Sequence, residues 1–157
     1  MSRKFYIGFL IIAVASVAYL FIYRTTAPPA EPAANTAEFG GVSLSVDYAT
    51  TTAARELGLG GRTDVPADYG MLFVFPTDDT YGFWMNDMLV PIDIFWLDAK
   101  GQVISVTPEI SPETYPSVFY PPEPVRYVLE TAAGFARTNS IVAGTSLLLK
   151  KFPTVSE

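Results

Sequence analysis

The chain has 157 residues, with ten Lys and Arg against sixteen Asp and Glu, and it contains neither cysteine nor histidine. That composition excludes disulfides, thiolate nucleophiles, Ser-His triads and the commonest zinc ligands, so any catalysis must come from Asp, Glu, Lys, Tyr, Ser or Thr. Three of the cations, Arg3, Lys4 and Arg24, flank an N-terminal apolar run; residues 25–157 keep seven basic and sixteen acidic groups, a net charge of −9 that repels phosphate backbones and argues against a nucleic-acid partner.

Residues 5–23, from Phe5 to Tyr23, carry no charge and would span about 28 Å as a helix, enough to cross a bilayer. Ala13-Val14-Ala15 could serve as a cleavage site, but the apolar run continues past it through Tyr19-Leu20-Phe21-Ile22-Tyr23. This predicts an uncleaved transmembrane anchor over residues 1–24. Arg3 and Lys4 at its start orient it with the N-terminus in the cytoplasm, which would put the remainder of the chain on the extracytoplasmic side of the membrane. Residues 25–38 hold three prolines and no large apolar side chain and read as a spacer. Residues 39–152 are left to fold as a single domain, with 153–157 as a tail.

Within that domain, Val42, Leu44 and Val46 alternate with Ser43 and Ser45, the period of a half-buried strand. Residues 50–57 predict a short helix capped by Thr51 or Thr52 and ended by Gly58, Gly60 and Gly61. The apolar run 70–75, stopped by Pro76, suits a strand covered on both faces. Residues 81–85 and 92–97 are two further strands, and Asp98-Ala99-Lys100-Gly101 makes a hairpin into residues 102–107, so that these elements predict a meander. Residues 108–124 hold six prolines together with Tyr115, Phe119 and Tyr120 and read as a stiff loop. Residues 125–130 form a strand with Val125, Tyr127 and Leu129 on one face; 132–138 predict a short helix stopped by Asn139, and 145–149 a closing strand. Six or seven short strands with one or two short helices predict a mainly-β fold, either a compact sandwich or a partly closed barrel.

The most specific stretch is residues 82–93, GFWMNDMLVPID, in which a strand ends at Phe83-Trp84-Met85, bends at Asn86-Asp87 and returns through Leu89-Val90. Trp84, Asn86, Asp87, Met88 and Asp93 are the candidate ligand-binding residues here, because methionine and tryptophan suit an apolar groove and the two acids could act as a general acid and base or hold a hard cation. The structural readings weigh more: large apolar side chains beside strands pack in cores, Asn-Asp is a common turn pair, and Asp93 at a strand entrance accepts backbone N–H bonds. Asp78-Asp79 lacks the spaced acids of a calcium loop, and no metal site is expected. Tyr115, Phe119 and Tyr120, held by stiff backbone, are expected to complete one recognition surface with the bend. Arg62, Asp93 and Glu130 are the expected structural polar residues, with Glu130 ion-paired to Arg62 or Arg126.

In these segments the chain resembles the domain of unknown function 192 family. The resemblance runs through Glu56-Leu57-Gly58-Leu59 with Arg62, Gly70-Met71-Leu72-Phe73-Val74-Phe75, Phe83-Trp84-Met85 with Pro91-Ile92-Asp93, Asp98-Ala99-Lys100-Gly101, and Tyr127-Val128-Leu129-Glu130 with Gly134. It covers roughly residues 42–149 and implies a compact mainly-β domain, often carried behind a signal or anchor, with no established activity. The chain departs from the family pattern at Met85-Asn86-Asp87-Met88, where relatives usually have Met-Lys-Asn-Thr, at Gly60, where Met is common, and in lacking the cysteines many relatives carry in the loop equivalent to 108–124. The leading functional expectation is a membrane-tethered extracytoplasmic module that binds an envelope ligand or protein and needs no cofactor. The competing expectations are a carboxylate-dependent hydrolase of an envelope glycan, using Asp87, Asp93 or Glu130, and a structural accessory of a membrane complex.

Overall fold

The computed structural model describes residues 35–156. The segment read as an anchor lies outside them, and among the described residues no helix is long and apolar enough to cross a membrane. Among the described residues nine strands form: β1 Thr36–Phe39, β2 Val42–Ala49, β3 Tyr69–Asp79, β4 Phe83–Trp84, β5 Ile92–Leu97, β6 Val103–Ile110, β7 Val118–Phe119, β8 Val125–Ala132 and β9 Leu147–Leu149. Two short helices accompany them, α1 Thr52–Leu57 and α2 Phe135–Thr138. The cap of α1 is Thr51, whose hydroxyl accepts the Ala54 N–H at 3.1 Å, and Gly58 ends the helix at a φ of +51° that favours glycine.

Seven strands make one sheet in the order β6-β5-β8-β3-β2-β1-β9, while β4 and β7 form a separate two-stranded ribbon. The sheet curls until its two ends meet. Gln102 bridges to Ser146, the Val103 N–H donates to the Thr145 carbonyl at 2.8 Å, and the Leu147 N–H donates to the Gly101 carbonyl at 2.9 Å. The result is a mainly-β half-barrel, the partly closed form of the expected architecture. Every strand pair is antiparallel except β2 with β3, whose connection carries α1.

The expected meander is not what forms. Only β5 and β6 are joined as a hairpin there, and β8, late in the chain, lies between β3 and β5. The physical reason is burial. Strand β8 offers apolar side chains to both faces and is favoured in the middle of the sheet, whereas β6 is largely half-exposed and takes an edge. A second difference is β1, which begins inside the proline-rich stretch read as a spacer. Ala37 and Phe39 alternate inward with Thr36 and Glu38 turned out; all four residues pair with β2, and Ala37, Glu38 and Phe39 pair with β9 as well.

Two apolar clusters cover the two faces of the sheet. All seven strands contribute to the inner one, which includes Phe39, Leu44, Leu72, Phe95 and Leu129 together with Phe135 of α2. The outer cluster holds Phe73, Ile92, Ile94, Trp96 and Val128 under Leu59, Phe83, Met85 and Met88. Phe39 anchors the first strand to the inner cluster, edge-on to Phe95 with centroids 5.0 Å apart and stacked on Phe135 at 6.1 Å. Phe39→Ala is therefore expected to destabilise the domain by about 3–5 kcal/mol, measured by urea unfolding. A loss well under 1 kcal/mol would mean that β1 is an accessory strand.

Candidate functional site

Glu130 lies on β8 opposite Met71 of β3 and Ile94 of β5, on the outer face with Val128. Gly58 passes directly above it: a Cβ built there would stand 3.2 Å from the Phe73 ring and 3.9 Å from Glu130 Oε2. The chain leaving α1 thus runs close over the sheet, and a cleft of about 490 Å³ opens between it and the turn into β4. Phe73 and Glu130 line it from the sheet, Arg55, Glu56 and Leu59 from the α1 side, Phe75, Tyr81, Phe83 and Trp84 from the aromatic side, and Asn86 and Met88 from the bend. The aromatic wall is internally packed. Phe75 stacks on Tyr81 with centroids 3.6 Å apart, Phe83 meets Phe73 edge-on at 4.9 Å, and Phe83 rests edge-on against the buried Trp96 at 5.5 Å.

Glu130 is the chemical centre of this cleft. It is 4 % exposed, and its Oε2 has no hydrogen-bond partner. Burial pushes its carboxyl up from 4.5 to about 8, so at neutral pH it is a neutral acid that can both donate and accept. Arg55, which lines the same cleft, does not relieve it. Its guanidinium donates to the carbonyls of Thr50 at 2.8 Å and Val74 at 3.0 Å and to Thr52 Oγ1 at 3.2 Å, and stands 5.4 Å from the Phe75 ring centroid.

The expected ion pair of Glu130 with Arg62 or Arg126 is not formed. Arg62 meets Asp47 at 3.5 Å and lies over the Tyr69 ring at 4.7 Å, while Arg126 donates to Asp78 at 2.6 Å. Arg126 is four strand residues from Glu130, roughly 13 Å away along β8, and the bulge in β3 brings Asp78 to it instead. The pairs that do form are partly exposed and contribute little to stability.

Of the ligand-binding candidates, Trp84, Asn86 and Met88 line the cleft, with Met88 nearly buried and Trp84 56 % exposed. Asp87 has a left-handed backbone at φ +54°; its carbonyl accepts the Gly61 N–H at 2.8 Å and its carboxylate accepts from Asn86 Nδ2 at 3.0 Å, which holds the bend against the glycines after α1. Asp93 is away from the cleft, fully buried, and accepts three backbone N–H bonds: from Glu109 at 2.7 Å, Gly134 at 3.1 Å and Ala136 at 2.8 Å. It ties β5 to the end of β6 and to the start of α2. Among the described residues no cluster of three or more Asp and Glu is arranged to hold a metal ion.

The proline-rich stretch is more structured than a loop. Strand β6 runs on to Ile110, residues Pro112–Thr114 make a 3₁₀ turn, and β7 pairs with β4 through Phe119 opposite Phe83 and Val118 opposite Trp84. Gly82 lets the two segments approach, since a Cβ there would come within 2.8 Å of both Tyr120 and Val118. Tyr115 and Tyr120 are exposed, Phe119 packs on the outer cluster, and Trp84 and Tyr115 have ring centroids 6.3 Å apart. Sequence reasoning did not nominate Arg55, Phe73, Phe75 or Tyr81. The signal for Phe73 and Phe75 was their two-residue spacing in a strand, which puts them on one face.

These features define a small half-barrel domain with an aromatic-walled cleft over a buried acid. The sequence model of DUF192, described as Uncharacterized ACR, matches residues 34–149, and the chain belongs to that family. A solved structure of a provisionally described transcription regulator from Sinorhizobium meliloti 1021 is similar at 25 % identity, with a TM-score of 0.69 over 73 % of this chain and 92 % of that one. A protein of unknown function from Novosphingobium aromaticivorans DSM 12444 shares the fold at 24 % identity and a TM-score of 0.68, over 77 % of this chain and 91 % of that one. No curated protein matches the sequence.

Two outcomes follow from the two buried carboxyls. Asp93→Ala should cost roughly 1–3 kcal/mol by leaving buried amides unpaired, and Asp93→Asn less, because an amide oxygen can keep the two bonds made to Oδ1. Equal, negligible losses in urea unfolding would refute the tie. For Glu130 the folded state binds its proton more tightly than the unfolded chain does, so stability should fall as pH rises from 4.5 to about 8, by an amount on the order of a few kcal/mol. Glu130→Gln, which cannot ionise, should flatten that slope in denaturation curves taken at pH 5, 6, 7 and 8; an equal slope in both proteins would contradict it.

Proposed function

We propose that this is a membrane-tethered, extracytoplasmic domain that binds a small molecule of the cell envelope in the cleft above Glu130. The observation that carries the reading is the unpartnered carboxyl oxygen of a buried acid in a cleft of ligand size walled by aromatic rings. A residue kept only for stability would be apolar at that position, because burying an unsatisfied carboxyl is costly. A ligand that hydrogen-bonds Oε2 would remove the cost when it binds. Trp84 and Tyr115 extend the aromatic wall outward, and the exposed Tyr120 lies against Gly82 in the same ribbon, which supports one recognition surface made by the bend and the 108–124 segment. The charge of −9 over residues 25–157 speaks against nucleic acid, whatever the Sinorhizobium protein binds. The tether and its orientation rest on the uncharged run 5–23 and on Arg3 and Lys4.

The hydrolase alternative has weaker support. Of Asp87, Asp93 and Glu130 only Glu130 lines the cleft, and Asp93 is occupied by three amides.

The chain has two tryptophans, and Trp96 is fully buried, so in a Trp96→Phe variant the emission reports on Trp84 at the mouth of the cleft. A library of small aromatic fragments titrated against this variant should yield ligands that shift Trp84 emission. Tyr115→Ala should weaken them by about three- to tenfold with little change in melting temperature, as expected for loss of one exposed ring contact worth roughly 0.5–1.5 kcal/mol. Fragments that bind without changing Trp84 emission would contradict the assignment. For the tether, the full-length chain should sediment with membranes and be cut by protease added outside the cytoplasmic membrane; a soluble product starting near residue 16 would refute it.

A further inference from the structure

We infer that the ligand of this cleft is an organic monocation, an ammonium group carried on an apolar or aromatic body. The inference deepens the proposed function and rests on it.

Three independent features favour a positive charge. The first is an acid that becomes an anion once a cation is there to compensate it. Glu130 is the one acid that lines the cleft from the sheet, its Oε2 has no partner, and the arginine in the same cleft is committed to the Thr50 and Val74 carbonyls. The second is the wall. Phe75, Tyr81, Phe83 and Trp84 line one side of a cleft of about 490 Å³ and Phe73 its floor, and aromatic rings attract cations most strongly when water is excluded. The rings already do this within the protein, because the Arg55 guanidinium stands over Phe75. The third is the surrounding field: with a net charge of −9 over residues 25–157, the domain draws cations and repels anions.

A neutral amide would also satisfy Oε2, by donating to it. It would gain nothing from the field and less from the rings. An anion could accept the Glu130 proton, but it would meet Glu56 and the negative field of the domain and would have only the committed Arg55 as a counter-charge.

The chemistry of binding is a proton exchange. In the empty cleft near neutral pH, the Glu130 carboxyl holds its proton because burial strips the carboxylate of water. When the ammonium enters, it supplies a compensating charge, the proton leaves to solvent, and the bound state is a carboxylate facing a cation across a dry, ring-lined gap. Cation affinity must therefore rise with pH until Glu130 is ionised in the empty protein. The other titratable or charged groups facing the cleft are Arg55 and Glu56 on α1 and Tyr81 in the turn before β4, so a Glu56→Gln variant serves as the control for a contribution from α1.

The test uses the full-length chain in nonionic detergent and two probes of similar shape, titrated calorimetrically at pH 6 and pH 8.5. Benzyltrimethylammonium carries a permanent charge, so any pH dependence belongs to the protein; N-benzylacetamide is the neutral comparator. The expected result is that the cation binds more tightly than the amide, that its affinity rises roughly tenfold or more between the two pH values, and that buffers of different ionisation enthalpy report proton release. Glu130→Gln should lower cation affinity at pH 8.5 by about tenfold or more and abolish the pH dependence, whereas Glu56→Gln should preserve it. If Glu130→Gln fails to fold, the proton release by the unaltered chain still decides the question. Tighter binding of the amide, with affinity that falls above pH 8, would overturn the cation and leave the cleft as a ligand site. Binding of neither probe, or binding indifferent to pH and to Glu130, would overturn the cation; if Trp84 emission is also silent to every fragment tested, the cleft reading falls with it.

Discussion

Strand β8 is hydrogen-bonded on both sides and covered on both faces, and most of what is distinctive in this domain follows from that constraint. Its backbone is satisfied by β3 and β5, its inner side chains Tyr127 and Leu129 sit in the core, and its outer side chains meet the turn after α1. A polar side chain at position 130 consequently has no neighbouring strand edge and almost no solvent to turn to. It must either find a partner in what covers it or remain unpaired. What covers it is Gly58 and the Phe73 ring, neither of which offers a side-chain donor, and the cleft is the only direction left.

The two fully buried carboxyls of the sheet show how differently the same group can be used. Asp93 receives three amide donors and fastens the left-handed Glu109 and the entry to α2 onto β5, so its charge is compensated by backbone dipoles. Glu130 receives none at Oε2 and is held neutral by desolvation. The first arrangement stabilises the fold, and the second weakens it. A sheet that can bury Val128 beside Glu130 could equally bury an aliphatic residue at 130, and the presence of an unpaired acid there is the argument for a function at that position.

Local structure was legible in the sequence because its determinants are local. Thr51 and Gly58 bracket α1, the alternation of Val42, Leu44 and Val46 marks β2, and Asp98 with Gly101 marks the β5–β6 turn. Strand order was not legible, since the place of β8 depends on which strand can be covered on both faces at once, a property of the assembled sheet. β1 was hidden for a related reason: Thr36–Glu38 has too little apolar surface to order alone, and it is ordered by β2 and β9 on its two sides. At the site, the bend residues Trp84, Asn86 and Met88 were named from their chemistry and do line the cleft. The missing partner of Glu130 was not foreseeable, because the two arginines expected to pair with it, Arg62 and Arg126, are claimed by Asp47 and Asp78 through contacts that only the β2–β3 pairing and the β3 bulge create.

The account turns on Glu130 being a neutral acid in the empty protein, and that state can be observed directly. With glutamate labelled at the side-chain carboxyl carbon, the resonance assigned through the Glu130→Gln variant should titrate with a midpoint near 8 in the absence of ligand. A midpoint in the ordinary glutamate range would mean that water or a protein donor reaches the carboxylate, and would contradict the dry, unpartnered acid from which the binding site is argued.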